Sequence, residues 1–115
     1  MAKRAIPDPL ERRHLVERNL EPARASVIAE AYLTEERAQE AVAFLARAQA
    51  TERLEALWRQ SVEQGDAFLL REVAAALGRE PDVACWRALA EAAASLGKDR
   101  YAAEARRQEA RLAQS

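Results

Sequence analysis

The chain has 115 residues, 50% of them hydrophobic and 32% charged, with a formal net charge of −1. That length suits one domain able to bury roughly two-thirds of its unfolded surface. The near-neutral balance argues against an electrostatic footprint for nucleic acid or an anionic membrane, and no uncharged stretch reaches the roughly 20 residues a membrane span needs. About a quarter of the residues are alanine, well above average usage. Alanine is the best helix former, and its small side chain lets helices approach closely. Cys85 is the only cysteine, so no intrachain disulfide forms and a reducing compartment is expected. The start, Met1 to Arg13, carries charges without the apolar run of a signal peptide, and the expected location is cytoplasmic.

Seven helices are predicted. The first covers 8–18, with Asp8 as cap, Pro9 at the first helical position and Glu11 as capping-box partner. Pro22 opens the second, which carries Val27, Ile28, Ala31 and Tyr32. Thr34 is expected to cap the third, placing Glu35 and Glu36 in its first turn at the positive end of the dipole. Its stripe is Ala38, Ala41, Val42, Leu45 and Ala48, the three-and-four spacing of a one-sided helix. Thr51 starts the fourth, with Leu54, Leu57, Trp58 and Val62, and Gly65 stops it.

Asp66 caps the fifth helix, which carries Phe68, Leu70, Val73, Ala74 and Leu77 before Gly78 closes it. Pro81 is expected to begin the sixth, with Trp86, Leu89, Ala93 and Leu96, and Gly97 as its stop. The seventh runs from about Asp99 towards Leu112, and its polar second half suits a terminal helix that nothing further covers. Short connections force neighbouring helices to run antiparallel. The expected organisation is one helical-repeat domain over 1–115, with hairpins at about 22–49, 51–78 and 81–112.

One spacing of large and small residues recurs three times. It reads Ala25, Ile28, Ala29, Tyr32, Ala41, Leu45 and Ala48 in the first hairpin, and Leu54, Leu57, Trp58, Gly65, Leu70, Ala74 and Leu77 in the second. In the third it reads Trp86, Leu89, Ala90, Ala93, Gly97 and Ala102. This spacing resembles the tetratricopeptide repeat across about residues 22–112. Two positions depart from the family pattern. Ala93 replaces its aromatic, and Trp58 stands where the family has a small residue, which implies a wider gap between the two helices or a Trp turned outward. A HEAT-like array and a plain helical bundle are the alternative architectures.

The resemblance implies an all-α, right-handed stack of three antiparallel helical hairpins (an α-solenoid) plus an N-terminal helix. It further implies a groove, lined by the first helix of each hairpin, that receives a protein or peptide. Projected onto this chain, that groove shows Ser26, Glu30, Glu55, Arg59, Arg87 and Glu91. Its mixed signs favour neither a purely acidic nor a purely basic ligand. It has none of the lysines and asparagines with which some family members clamp a C-terminal carboxylate. The expected function is a non-catalytic adaptor or scaffold. The alternative is a small helical bundle that binds a ligand or catalyses, marked by a deep pocket with convergent polar groups.

The residues offer little chemistry. Catalysis needs a nucleophile with a base, paired carboxylates in different environments, or metal ligands at workable spacing. His14 is the only histidine and reads as a surface residue. Cys85 falls in register with Leu89 and Leu96 and reads as a small half-buried residue rather than a reactive thiol. The glycines stand alone at helix ends, so no phosphate loop is present. Glu21, Glu35 and Glu36 read as helix-start acids. No catalytic residue, metal site or cofactor is expected.

Two arginine clusters, Arg12–Arg13 and Arg106, Arg107 and Arg111, are diluted by Glu11, Glu17, Glu104 and Glu109, which argues against nucleic acid. Leu10, Leu15 and Val16 on the short first helix form an apolar patch that invites a partner, either a second copy about a two-fold axis or another protein. Trp58 is a further candidate contact, whereas Trp86 is expected in the core.

Overall fold

A computed structural model describes residues 6–17 and 21–114. They form α1 (Pro9–Glu17), α2 (Pro22–Thr34), α3 (Ala38–Arg47), α4 (Thr51–Glu63), α5 (Ala67–Leu77), α6 (Val83–Ser95) and α7 (Asp99–Ala113). No strand occurs among the described residues, so the fold class is all-α. None of these helices is long and apolar enough to cross a membrane. The expected end of the first helix at Arg18 and Asn19 lies outside the described residues.

Local chemistry explains most helix ends. The Glu11 amide donates to Asp8 Oδ1 at 2.8 Å, the Leu69 amide to Asp66 Oδ1 at 3.0 Å, and the Cys85 amide to Asp82 Oδ1 at 2.8 Å. Each carboxylate satisfies an amide that the helix itself leaves unpaired. Asp82 therefore starts α6 at Val83, and the expectation that Pro81 begins it is corrected. Thr34 is not a cap either: its hydroxyl donates to the Glu30 carbonyl at 2.8 Å, one turn back within α2. Glu35 and Glu36 form the turn that follows, with Glu36 at φ 58°, and α3 starts only at Ala38.

The chain divides into two compact units, residues 1–54 and 55–115, with the division falling inside α4. In the first unit, α2 and α3 run side by side at close backbone approach. Ala25, Ala29 and Ala41 are wholly buried, and the small side chains permit that approach. The Tyr32 and Phe44 rings stack with centroids 5.7 Å apart. Arg12 of α1 lies over both rings, 5.8 Å from Tyr32 and 5.5 Å from Phe44, and its Nη2 donates to the Glu40 carbonyl at 3.0 Å. A guanidinium over an aromatic face contributes about 0.5–2 kcal/mol, so Arg12 and the buried Leu15 hold α1 in place.

In the second unit the core is Ala67, Leu70, Trp86, Leu89, Ala90, Ala93 and Ala105, with Trp58, Val62, Cys85 and Tyr101 packed against it. α6 and α7 approach closely along their length, whereas α4 and α5 do not. Trp58 packs on the core instead of turning outward, and its bulk accounts for the wider pair. The turn after α4 presses against α6: a Cβ on Gly65 would sit 2.5 Å from both the Cα and the N of Ala93. Lys98 Nζ, in the turn after α6, donates to the Gln64 carbonyl at 2.6 Å and ties the two turns together.

Three residues expected in apolar stripes are exposed: Val27 at 63%, Phe68 at 51% and Leu96 at 57%. Val27 is one helical step off the inward face made by Ala25, Ile28, Ala29 and Tyr32. At the start of α5, Leu69 takes the buried direction beside Phe68. Leu96 lies beyond the last residue of α6, at its C-cap.

Candidate functional site

The six groove candidates occupy three helices. Ser26 is exposed on α2, and Glu30, one turn on, pairs with Arg53 at the start of α4. Glu55 on α4 accepts from Arg79 Nη1 at 3.1 Å. That hydrogen bond, with the charges of Arg79 and Arg59, holds its carboxyl below the ordinary 4.5. Arg87 on α6 donates through Nε to Glu109 Oε1 of α7 at 2.8 Å, which lowers the Glu109 carboxyl in the same way. Arg59 and Glu91 are exposed. Glu30, Glu55 and Arg87 are thus engaged by neighbouring segments of their own unit.

The N-terminal patch is smaller than expected. Leu10 is 66% exposed, but Leu15 is buried at 9%, so Leu15 is corrected from a contact residue to a core residue. One helical turn and a bit separates the two, enough to turn them to opposite sides. The Val16 side chain lies outside the described residues. Trp58 is half-buried, with the Arg79 guanidinium 5.1 Å from its ring centre. Trp86 is buried at 2%, as expected for a core residue.

Burial and, secondarily, the Asp82 charge push the Cys85 thiol up, so it stays protonated near neutral pH and lacks the thiolate a nucleophile needs. His14 is exposed. Among the described residues no three His, Cys, Asp or Glu side chains gather at metal-binding distances.

One feature of the second unit was not anticipated from the sequence. A cleft of about 430 Å³ is walled by Arg71 of α5, Arg79 and Glu80 of the following turn, Trp86 of α6, and Gln108 and Arg111 of α7. Arg71 Nη1 donates to Glu104 at 3.2 Å, Arg111 Nε donates to Gln108 at 3.0 Å, and Arg111 also pairs with Glu80. The Trp86 indole N–H is buried without an acceptor. A second hollow of about 300 Å³ continues along α5 past Arg71, Glu72 and Ala75 to Phe68.

No protein-family model, curated protein or solved structure matches this chain. Function is read from its own surface. The cleft escaped sequence reasoning because its arginines come from three separate segments. Gly78, at φ 63°, turns the chain so that Arg79 leaves the helical path that spacing could have traced. The one available signal was the scarcity of lysine beside so many arginines, since arginine is the residue suited to planar, bidentate recognition.

Proposed function

We propose that this chain is a non-catalytic interaction module, an adaptor or scaffold built from tetratricopeptide-like hairpins, which binds a protein or peptide in the cytoplasm. The observation that carries the reading is the open cleft on the second unit. Exposed arginines stand above a floor of small residues, on helices whose spacing is fixed by wholly buried alanines. Such a surface recognises by charge and shape. The carboxyls with perturbed acidity support the same reading. Glu40, Glu55, Glu104 and Glu109 are all held low by arginine partners, which keeps them ionised at neutral pH. A general acid or base needs the opposite tuning, towards neutrality. The recurrence of buried small residues at Ala25, Ala29, Ala90 and Ala93, and the seating of the Gly65 turn on α6, support hairpin repeats as the scaffold.

The test is capture from the native lysate with the wild-type chain and two charge variants in parallel. One carries Arg59→Glu with Arg87→Glu on the α4 and α6 surface, and the other carries Arg71→Gln with Arg111→Gln at the cleft. The expected result is reproducible recovery of one protein, lost with one of the two variants. Recovery of nothing, or equal recovery by all three, ends the reading.

A further inference from the structure

We propose that the cleft and the hollow beside it together take an acidic peptide from a partner, carboxylates against the arginines and an apolar side chain against Phe68. This rests on the interaction-module reading and names the partner's chemistry. The charge argument turns on exposure. Arg71 is 61% exposed while its partner Glu104 is 21% exposed, and Arg79 is 49% exposed while Glu55 is 31%. At these two pairs an approaching ligand meets guanidinium before carboxylate, whereas at the third Arg111 is 54% exposed and Glu80 61%. Glu80 is the one acid in the cleft wall, against Arg71, Arg79 and Arg111.

The arginines have separate parts. Arg79 is held by both Glu55 oxygens and by the Trp58 face, so its place in the wall is fixed. Arg71 gives Glu104 a single donor from Nη1, and the rest of its planar fork matches a carboxylate in paired hydrogen bonds.

Length selects a peptide over a single small anion. At about 1.5 Å per helical residue, Phe68 and Leu77 lie about 14 Å apart along α5, the reach of about four extended residues. The two hollows share Arg71 and Ala75, so one extended chain passes from the arginines to the half-exposed Phe68 without leaving the surface.

Fluorescence anisotropy of the full chain with a labelled peptide alternating Glu and Leu provides the test. A Lys-for-Glu peptide and an oligothymidylate of matched charge serve as competitors. The acidic peptide should bind and the basic one should not, and added salt should weaken binding because the contacts are exposed. Arg71→Gln with Arg111→Gln should weaken binding about tenfold, and Phe68→Ala about threefold. Glutamine is a good helix former, and a helical circular-dichroism spectrum and an unchanged melt show that the fold survives. No binding, binding indifferent to the arginine pair, or stronger competition by the oligothymidylate overturns the proposal. If the peptide fails while lysate capture persists, the cleft assignment falls and the module stands. If both fail, both fall.

Discussion

Two helix pairs in the second unit solve the same packing problem in opposite ways. α6 and α7 meet on Ala90, Ala93 and Ala105, all wholly buried, and their backbones come close along the whole pair. α4 carries Trp58, half-buried and packed on the core, and the α4 and α5 backbones stay apart. A methyl at a crossing lets helices close on one another, whereas an indole must be given room and covered. Here the cover is the shared core below and the Arg79 guanidinium above. The close pair therefore depends on nothing larger being added, and the wide pair on nothing being taken away.

The two tryptophans give the largest expected effects. Trp86→Ala should cost about 3–5 kcal/mol, because the ring is buried and its closely spaced neighbours cannot collapse into the void. Trp58→Ala should cost about 2 kcal/mol, because half-exposure means less transfer energy is lost and α5 has freedom to settle. Urea denaturation monitored at the far-ultraviolet helix band measures both. Equal losses would show that the wide pair is as rigid as the narrow one.

Next come the glycines of the two turns that bound α5. Gly65 and Gly78 share nearly the same left-handed backbone, φ 64° and φ 63°. A Cβ on Gly78 meets nothing within 4 Å, but on Gly65 it runs into the Ala93 backbone at 2.5 Å. Gly78→Ala should cost about 1 kcal/mol, the price of the left-handed conformation alone. Gly65→Ala should cost about 3 kcal/mol, since α6 must shift as well. If the two variants melt alike, the α4–α5 turn does not bear on α6.

Ala90→Leu addresses the close pair from inside and should cost about 1–3 kcal/mol by overpacking. An enlarged side chain on the wide pair, such as Ala76→Leu at a half-buried site on α5, should cost less. Thermal melts of both variants rank them directly, and the reverse order would place the crowding at α4–α5.

Much of this was legible in the residues, for identifiable reasons. Asp8, Asp66, Gly65, Gly78 and Gly97 act locally, through a cap bond or a positive φ, so their positions alone announced helix ends. Alanine at three-and-four spacing announced the buried faces. The errors came where a residue had two local options. Thr34 bonds backward to Glu30 as readily as forward, and Pro81 yields the helix start to Asp82. Leu15 and Leu10 could not be told apart without knowing that Arg12 seats α1 on Tyr32 and Phe44. The cleft was invisible because Arg71, Arg79 and Arg111 are brought together only by tertiary packing.

The smallest expected effect concerns acid, and it sharpens the contrast between the pairs. Glu55 bridges the wide pair to Arg79, and Glu109 bridges the close pair to Arg87. Both carboxyls are held below the ordinary 4.5 by those hydrogen bonds. A group with a lowered folded-state pKa contributes stability that is fully present above its unfolded value and disappears as pH falls through the folded value. Urea midpoints should therefore stay flat from neutrality to about pH 5 and decline below about pH 4.5. Each bridge is exposed and worth little alone, so the slope, not the plateau, carries the information. In the close pair, alanine packing holds α6 to α7 whether or not Glu109 is ionised. In the wide pair, the Glu55–Arg79 bridge also keeps the guanidinium over Trp58, so protonation loosens two contacts together. Glu55→Gln should flatten the acid slope more than Glu109→Gln does. Equal flattening would mean that Arg79 stays on Trp58 without its carboxylate partner.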